Sequence, residues 1–136
     1  MSTPEQREVA VTAAQATMER AYAPYSGFRV GAALIGMGGG VHVGCNVENS
    51  AYPAGICAER SALAAAMAAG ERRFTLLVVA TEATEPTPPC GLCRQALVEF
   101  AHELEVLSVT SDGRSATWRL SNLLPAPFTP ESLAHR

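Results

Sequence analysis

The sequence predicts an α/β domain in which a mixed sheet of about five strands carries helices on both faces. Three observations lead there. Short β-prone runs alternate with longer segments of helical periodicity. One run, Leu76-Leu77-Val78-Val79-Ala80, has no polar alternation, as expected of a central strand covered on both sides. Glycine and proline clusters fall between these segments, where turns belong. With 136 residues, the chain is expected to form one domain over 1–136.

The first element opens at Ser2-Thr3-Pro4-Glu5-Gln6: a hydroxyl N-cap, proline at the first helical position and a side chain placed for a capping box. That helix is expected to reach about residue 21. Strands follow over 30–35 and 41–45, and Gly36-Met37-Gly38-Gly39-Gly40 between them is a hairpin signal. Residues 46–56, with Pro53 and Gly55, are loop. Residues 57–69 are alanine-rich and end at Gly70, the place of a C-terminal cap, which gives a helix narrow enough to lie buried. After the strand at 76–80, residues 82–89 hold three prolines and form a loop. Helical spacing returns over 90–102 through Leu92, Ala96, Leu97 and Phe100. Strands over 106–110 and 116–120 flank Ser111-Asp112-Gly113-Arg114, a second hairpin, and Thr129-Pro130-Glu131 starts a short terminal helix.

Only 17% of the residues are charged, against about 25% in an average soluble chain. Part of the surface is therefore expected to meet another subunit. A net charge of −3 without a basic stripe argues against nucleic acid and polybasic membrane contacts. All ten cationic residues are arginine, which excludes a Schiff-base lysine and a P-loop lysine. No apolar leader or span-length segment is visible, so a cytoplasmic protein is expected. Four cysteines in that setting are read as thiols, metal ligands or catalytic groups.

Two of the predicted helices begin at cysteines, in Cys57-Ala58-Glu59 and Pro89-Cys90-Gly91-Leu92-Cys93. Cys90 and Cys93 are three residues apart and can share one face of a turn. Helix N-termini stabilise thiolates, and three thiolates meeting there suit Zn²⁺. Structural zinc sites take four protein ligands, while catalytic ones take three and keep a water. A four-cysteine knot completed by Cys45 and a redox C-x-x-C pair are the alternatives, although Cys45 alone reads as a small buried hydrophobe. His42, His102 and His135 lie far from the cysteine turns in sequence and are read as structural or exposed. Glu59 follows Cys57 by two residues, so both reach one site only if Cys57 precedes the regular helix. A carboxylate beside a metal-activated water, and not on the metal, is what hydrolytic deamination needs to carry protons.

Taken together, Gly44-Cys45-Asn46-Val47-Glu48-Asn49, Ala51-Tyr52-Pro53, Cys57-Ala58-Glu59-Arg60 and Pro89-Cys90-Gly91-Leu92-Cys93-Arg94-Gln95 resemble the cytidine deaminase family, in its small homotetrameric three-cysteine branch. The resemblance runs from about residue 22 to 133. It implies a three-layer α/β/α cytidine deaminase-like fold and zinc held by Cys57, Cys90 and Cys93. It also implies that Glu59 is the catalytic proton carrier, that Asn46 and Glu48 bind the ribose hydroxyls, and that Phe28 and Ala58 line the nucleoside pocket. Phe128 would pack on the base in a neighbouring subunit's site. The activity implied is hydrolysis of cytidine and deoxycytidine to uridine and deoxyuridine with release of ammonia, in pyrimidine salvage. A ribose-binding pair disfavours free cytosine and blasticidin S as substrates, and the lack of a basic stripe disfavours polynucleotides. Three thiolates with Zn²⁺ leave one negative charge, which must be offset locally. Arg60, one turn beyond Cys57, is placed to donate to a sulfur, and Arg94 is a weaker candidate for the same task.

Overall fold

The computed structural model describes residues 2–134; His135 lies outside them. Helix α1 (Pro4–Met18) starts as the sequence predicts, with Thr3 accepting from Gln6 N–H and the Gln6 side chain accepting from Thr3 N–H. Strands β1 (Val30–Gly36) and β2 (Val41–Cys45) form the first hairpin. Helix α2 (Ala58–Ala68) leads to β3 (Phe74–Thr81), and Gly70 takes the left-handed conformation, φ +91°, that closes the helix. Helix α3 (Gly91–Val98) leads to β4 (Glu105–Thr110), and β5 (Ser115–Arg119) returns antiparallel to it.

The sheet order is β2-β1-β3-β4-β5. Only β3 and β4 are parallel among neighbours, so the sheet is mixed, and β3 is its centre. Alternate β3 residues enter two separate cores, as its unbroken apolar run predicts: Leu77 and Val79 pack beneath α2 and α3, while Leu76, Val78 and Ala80 pack beneath α1. The result is a three-layer α/β/α arrangement.

Two glycines set how closely helices approach the sheet. A Cβ on Gly31 would come within 2.0 Å of Ala14 O in α1, and one on Gly44 within 2.4 Å of Ala62 N in α2. The α2 backbone rests directly on β2, and its small stripe Ala58, Ala62 and Ala66 is fully buried. That seating fixes the first turn of α2, where Glu59 lies.

The structure departs from the sequence reading at element ends. Helix α1 stops at Met18 rather than near residue 21, because Tyr22 leaves to pair its backbone with Asn46 and Glu48. Helix α3 stops at Val98 rather than 102, since residues 99–104 must turn the chain into β4. A one-turn helix α4 (Leu120–Leu123), unforeseen in the sequence, follows β5 and buries Leu120, whose N–H donates to Leu104 O. The last element is a 3₁₀ turn, Pro130–Leu133, capped by Thr129. Among the described residues no helix is long and apolar enough to cross a membrane.

Candidate active site

Helices α2 and α3 begin side by side beyond the C-terminal end of β3, where crossovers of an α/β sheet leave a crevice. Cys57 is the N-cap of α2 (φ −77°, ψ 156°) and Cys90 that of α3 (φ −67°, ψ 168°); both are extended, and neither thiol caps its helix by hydrogen bonding. The extended Cys57 answers the geometric problem posed by Glu59, because it turns its side chain out of the helical period. Cys93 lies within the first turn of α3.

The three Sγ atoms lie within 4.8 Å of one another, with Cys57 and Cys90 sulfurs 4.0 Å apart. Zinc–sulfur bonds of about 2.3 Å in a tetrahedron separate sulfurs by about 3.8 Å, so this donor set fits zinc in both chemistry and spacing. Cys45 stays out of the group: it pairs with Gly31 in the β1–β2 ladder and is half-buried, where the sequence suggests full burial. His42 pairs with Glu71 at 3.4 Å and His102 with Glu103 at 3.3 Å, both away from the thiols.

A hydrogen bond from Cys93, with further help from Arg60, pulls the Cys57 thiol down to about 5 against the opposing effect of burial. The same contact, together with burial, keeps the proton on Cys93, whose thiol is pushed far up. Arg60 places a guanidinium nitrogen 3.8 Å from Cys57 Sγ. Glu59 is 5% exposed, and burial pushes its carboxyl up to about 7, with the nearby Cys57 adding to the rise. Among the described residues its carboxylate has no hydrogen-bond partner beyond its own backbone amide.

Glu59 opens into a cavity of about 270 Å³ shared with Cys57 and Cys90. Phe28, Asn46, Glu48 and Ala58 also line it, so the structure brings together the predicted pocket residues with the exception of Phe128. Phe128 is 57% exposed and does not line this cavity; Gln95 holds its backbone, donating to Phe128 O at 2.7 Å and accepting from Phe128 N–H at 3.3 Å.

Asn46 and Glu48 do more than face the cavity. The Asn46 amide accepts from Val30 N–H and donates to Phe28 O, both at 2.8 Å, which fixes the strand entry beside Phe28. Glu48 accepts from Tyr25 N–H, Ser26 N–H and the Ser26 hydroxyl, and these bonds hold its carboxyl below the usual range. Arg94 donates to Pro89 O at 2.7 Å and Leu123 O at 2.9 Å, so it braces the turn before Cys90.

Sequence reasoning missed part of the cavity wall, made by Val79, Thr81, Thr87 and Pro88. The three prolines before Cys90 were the available signal, marking irregular chain next to a ligand. Nothing in the pattern of β3 distinguishes Val79 from its neighbours.

Fold and site together define a class: an α/β protein whose three convergent cysteines are placed to hold a metal ion beside a buried carboxyl. The family model for the cytidine and deoxycytidylate deaminase zinc-binding region matches residues 4–108. A cytidine deaminase of Sporosarcina psychrophila is 42% identical over 118 residues, covering 86% of this chain and 87% of the relative. A probable cytidine deaminase of Dictyostelium discoideum is 42% identical over 130 residues, 95% of this chain and 88% of the relative. The crystal structure of a Burkholderia pseudomallei cytidine deaminase superposes with a TM-score of 0.85 at 44% identity, over 89% of this chain and 98% of that one. A Mycobacterium tuberculosis cytidine deaminase gives 0.78 at 35% identity, over 90% and 96%. The chain belongs to the cytidine and deoxycytidylate deaminase family.

Proposed function

We propose that residues 1–136 form one domain that hydrolyses cytidine and deoxycytidine to uridine and deoxyuridine, releasing ammonia, as a cytoplasmic step of pyrimidine salvage. The observation that carries this reading is Glu59: a buried carboxyl with no salt bridge or side-chain hydrogen bond among the described residues, open to the same cavity as Cys57 and Cys90 of the three convergent thiols. A carboxyl so placed, with affinity for protons matched to neutral pH, suits a group that both takes up and gives back a proton.

Cys57, Cys90 and Cys93 would hold the zinc, which when bound supplies a Lewis acid that acidifies water for attack at C4 of the ring. Glu59 would take one proton from the attacking water and give it to ring N3, then carry the proton of the hydroxyl added at C4 to the exocyclic amine, so that the C4–N bond breaks, the C4 carbonyl forms and ammonia departs. One water enters and one ammonia leaves, with no redox change. Arg60 offsets the negative charge of the three thiolates. Glu48 and Asn46 orient the ribose, with Glu48 held in its ionised, accepting form by Ser26. Phe28 and Ala58 exclude water along the base.

Assembly into a homotetramer with shared sites is part of the same proposal. Its support is a set of exposed apolar side chains, Tyr22, Tyr25, Tyr52, Leu92 and Phe128, of which Tyr25 and Tyr52 line the cleft beside Cys57 and Arg60, and a buried Arg60 Nε that lacks a partner among the described residues. In this reading Phe128 completes a neighbour's pocket.

The deciding experiment follows ammonia release and the ultraviolet change on conversion of cytidine, with metal content measured in parallel. Glu59→Gln is expected to keep one zinc per chain and lose about 10³-fold in kcat. Equal rates for parent and Glu59→Gln would overturn the mechanism, and a fully active monomer in sedimentation would overturn the shared site.

A further inference from the structure

The cavity wall nearest Cys90 belongs to the loop 82–89, and among the described residues no backbone–backbone hydrogen bond fastens that loop to anything. Its three prolines remove the donors such bonds need. Side chains fasten it instead. Ala83 N–H donates to the Thr81 hydroxyl at 3.2 Å, Arg29 binds the Glu82 carboxylate at 2.6 Å, and Arg114 binds Thr84 O at 3.1 Å. Thr87 and Pro88 are the loop residues that line the cavity, and the bond that fixes them runs from Thr87 N–H to Ser108 Oγ at 2.9 Å.

Ser108 is a fully buried hydroxyl in the middle of β4, a position where apolar residues are the rule on both faces. It sits beside Val79 in the parallel ladder, on the same face of the sheet, next to the cavity that Val79 lines and it does not. A buried hydroxyl is costly unless bonded, and the bond it makes here is to the substrate-facing loop.

We propose that Ser108 is a positioning residue for substrate discrimination: through Thr87 it fixes how closely the Thr87-Pro88 wall approaches the pyrimidine. The inference rests on the nucleoside-deaminating function proposed above. With the exocyclic amine of the base directed at the thiols and N3 at Glu59, C5 is the ring position left to face the chain leading into Cys90. A fixed wall admits hydrogen at C5 and resists larger groups, whereas a loosened wall loses both contact with cytidine and selectivity against 5-substituted rings.

The test compares Ser108→Thr with Ser108→Val, which match in volume and differ in the hydroxyl. Ser108→Thr is expected to keep the parent's KM for cytidine, its preference for cytidine over 5-methylcytidine, and slow exchange of the Thr87 amide hydrogen. Ser108→Val is expected to raise KM about tenfold with kcat changed far less, to narrow the preference about threefold, and to lose that protection, at equal zinc content and Tm. If the valine chain does not fold, Ser108→Ala removes the hydroxyl without adding volume and should reproduce the loss that Ser108→Thr avoids. Identical preference and exchange in the threonine and valine variants, or in the threonine and alanine variants of Ser108, would overturn its role. A parent chain inactive on cytidine would instead overturn the proposed function, before any variant is compared.

Discussion

The two helix starts that build the site are alike in sequence and unlike in support. Each begins with a cysteine in extended conformation. The start of α2 is seated by packing: Gly44 lets its backbone rest on β2, and Ala58, Ala62 and Ala66 are sealed beneath it. The start of α3 is seated by polar side chains, with Arg94 on Pro89 O and Ser108 on Thr87 N–H, and Cys90 and Leu92 are exposed. Packing gives Glu59 a buried, rigid place, while hydrogen bonds on a proline-rich loop give the cavity wall a position that single side chains can adjust.

The sharpest contrast lies in two glycines. Gly44→Ala would put a methyl 2.4 Å from Ala62 N and is expected to cost about 3 kcal/mol in denaturant unfolding. Gly91→Ala at the start of α3 meets nothing within 4 Å and should change stability by less than about 0.5 kcal/mol. Equal costs at the two glycines would erase the distinction. The next contrast concerns the two arginines. Arg60→Ala is expected to retain zinc and lose about 30-fold in kcat at neutral pH, which an unchanged pH profile of kcat would refute. Arg94→Leu is expected to weaken zinc binding about tenfold by releasing the turn before Cys90, as measured by competition with a chelator.

The smallest effect falls on Glu48, proposed above to orient the ribose. Ser26 and the neighbouring amides hold Glu48 below its ordinary value of 4.5, so its ionised form persists as pH falls through that value and is lost only at lower pH. The acid-side rise in KM for cytidine should therefore begin at lower pH in the parent than in Ser26→Ala, which keeps the two amide donors and loses the hydroxyl. A KM that rises equally in both would show that the Ser26 bond leaves Glu48 unchanged.

Much of this was legible in the sequence, because the strongest signals are local. Thr3-Pro4 and Gly70 punctuate helices by backbone chemistry alone, and the apolar run of β3 announces burial on both faces. The site was legible through the spacing of Cys57, Glu59, Cys90 and Cys93. What could not be read depends on chain brought from afar. Helix α4 exists because Leu120 meets Leu104, Arg94 turned out to grip carbonyls at Pro89 and Leu123, and Ser108 became visible only when β4 placed it beside Val79.

Helix starts are ordinarily secured by an oxygen-bearing side chain, and here two of them carry sulfur that makes no such bond. The ion that fits those sulfurs therefore acts on the folding equilibrium as a ligand of the native state. By linkage, each tenfold rise in free zinc above its dissociation constant adds about 1.4 kcal/mol to stability. The chain's lifetime in a cell would then track zinc supply, and scarcity of the metal would remove the enzyme as well as silence it.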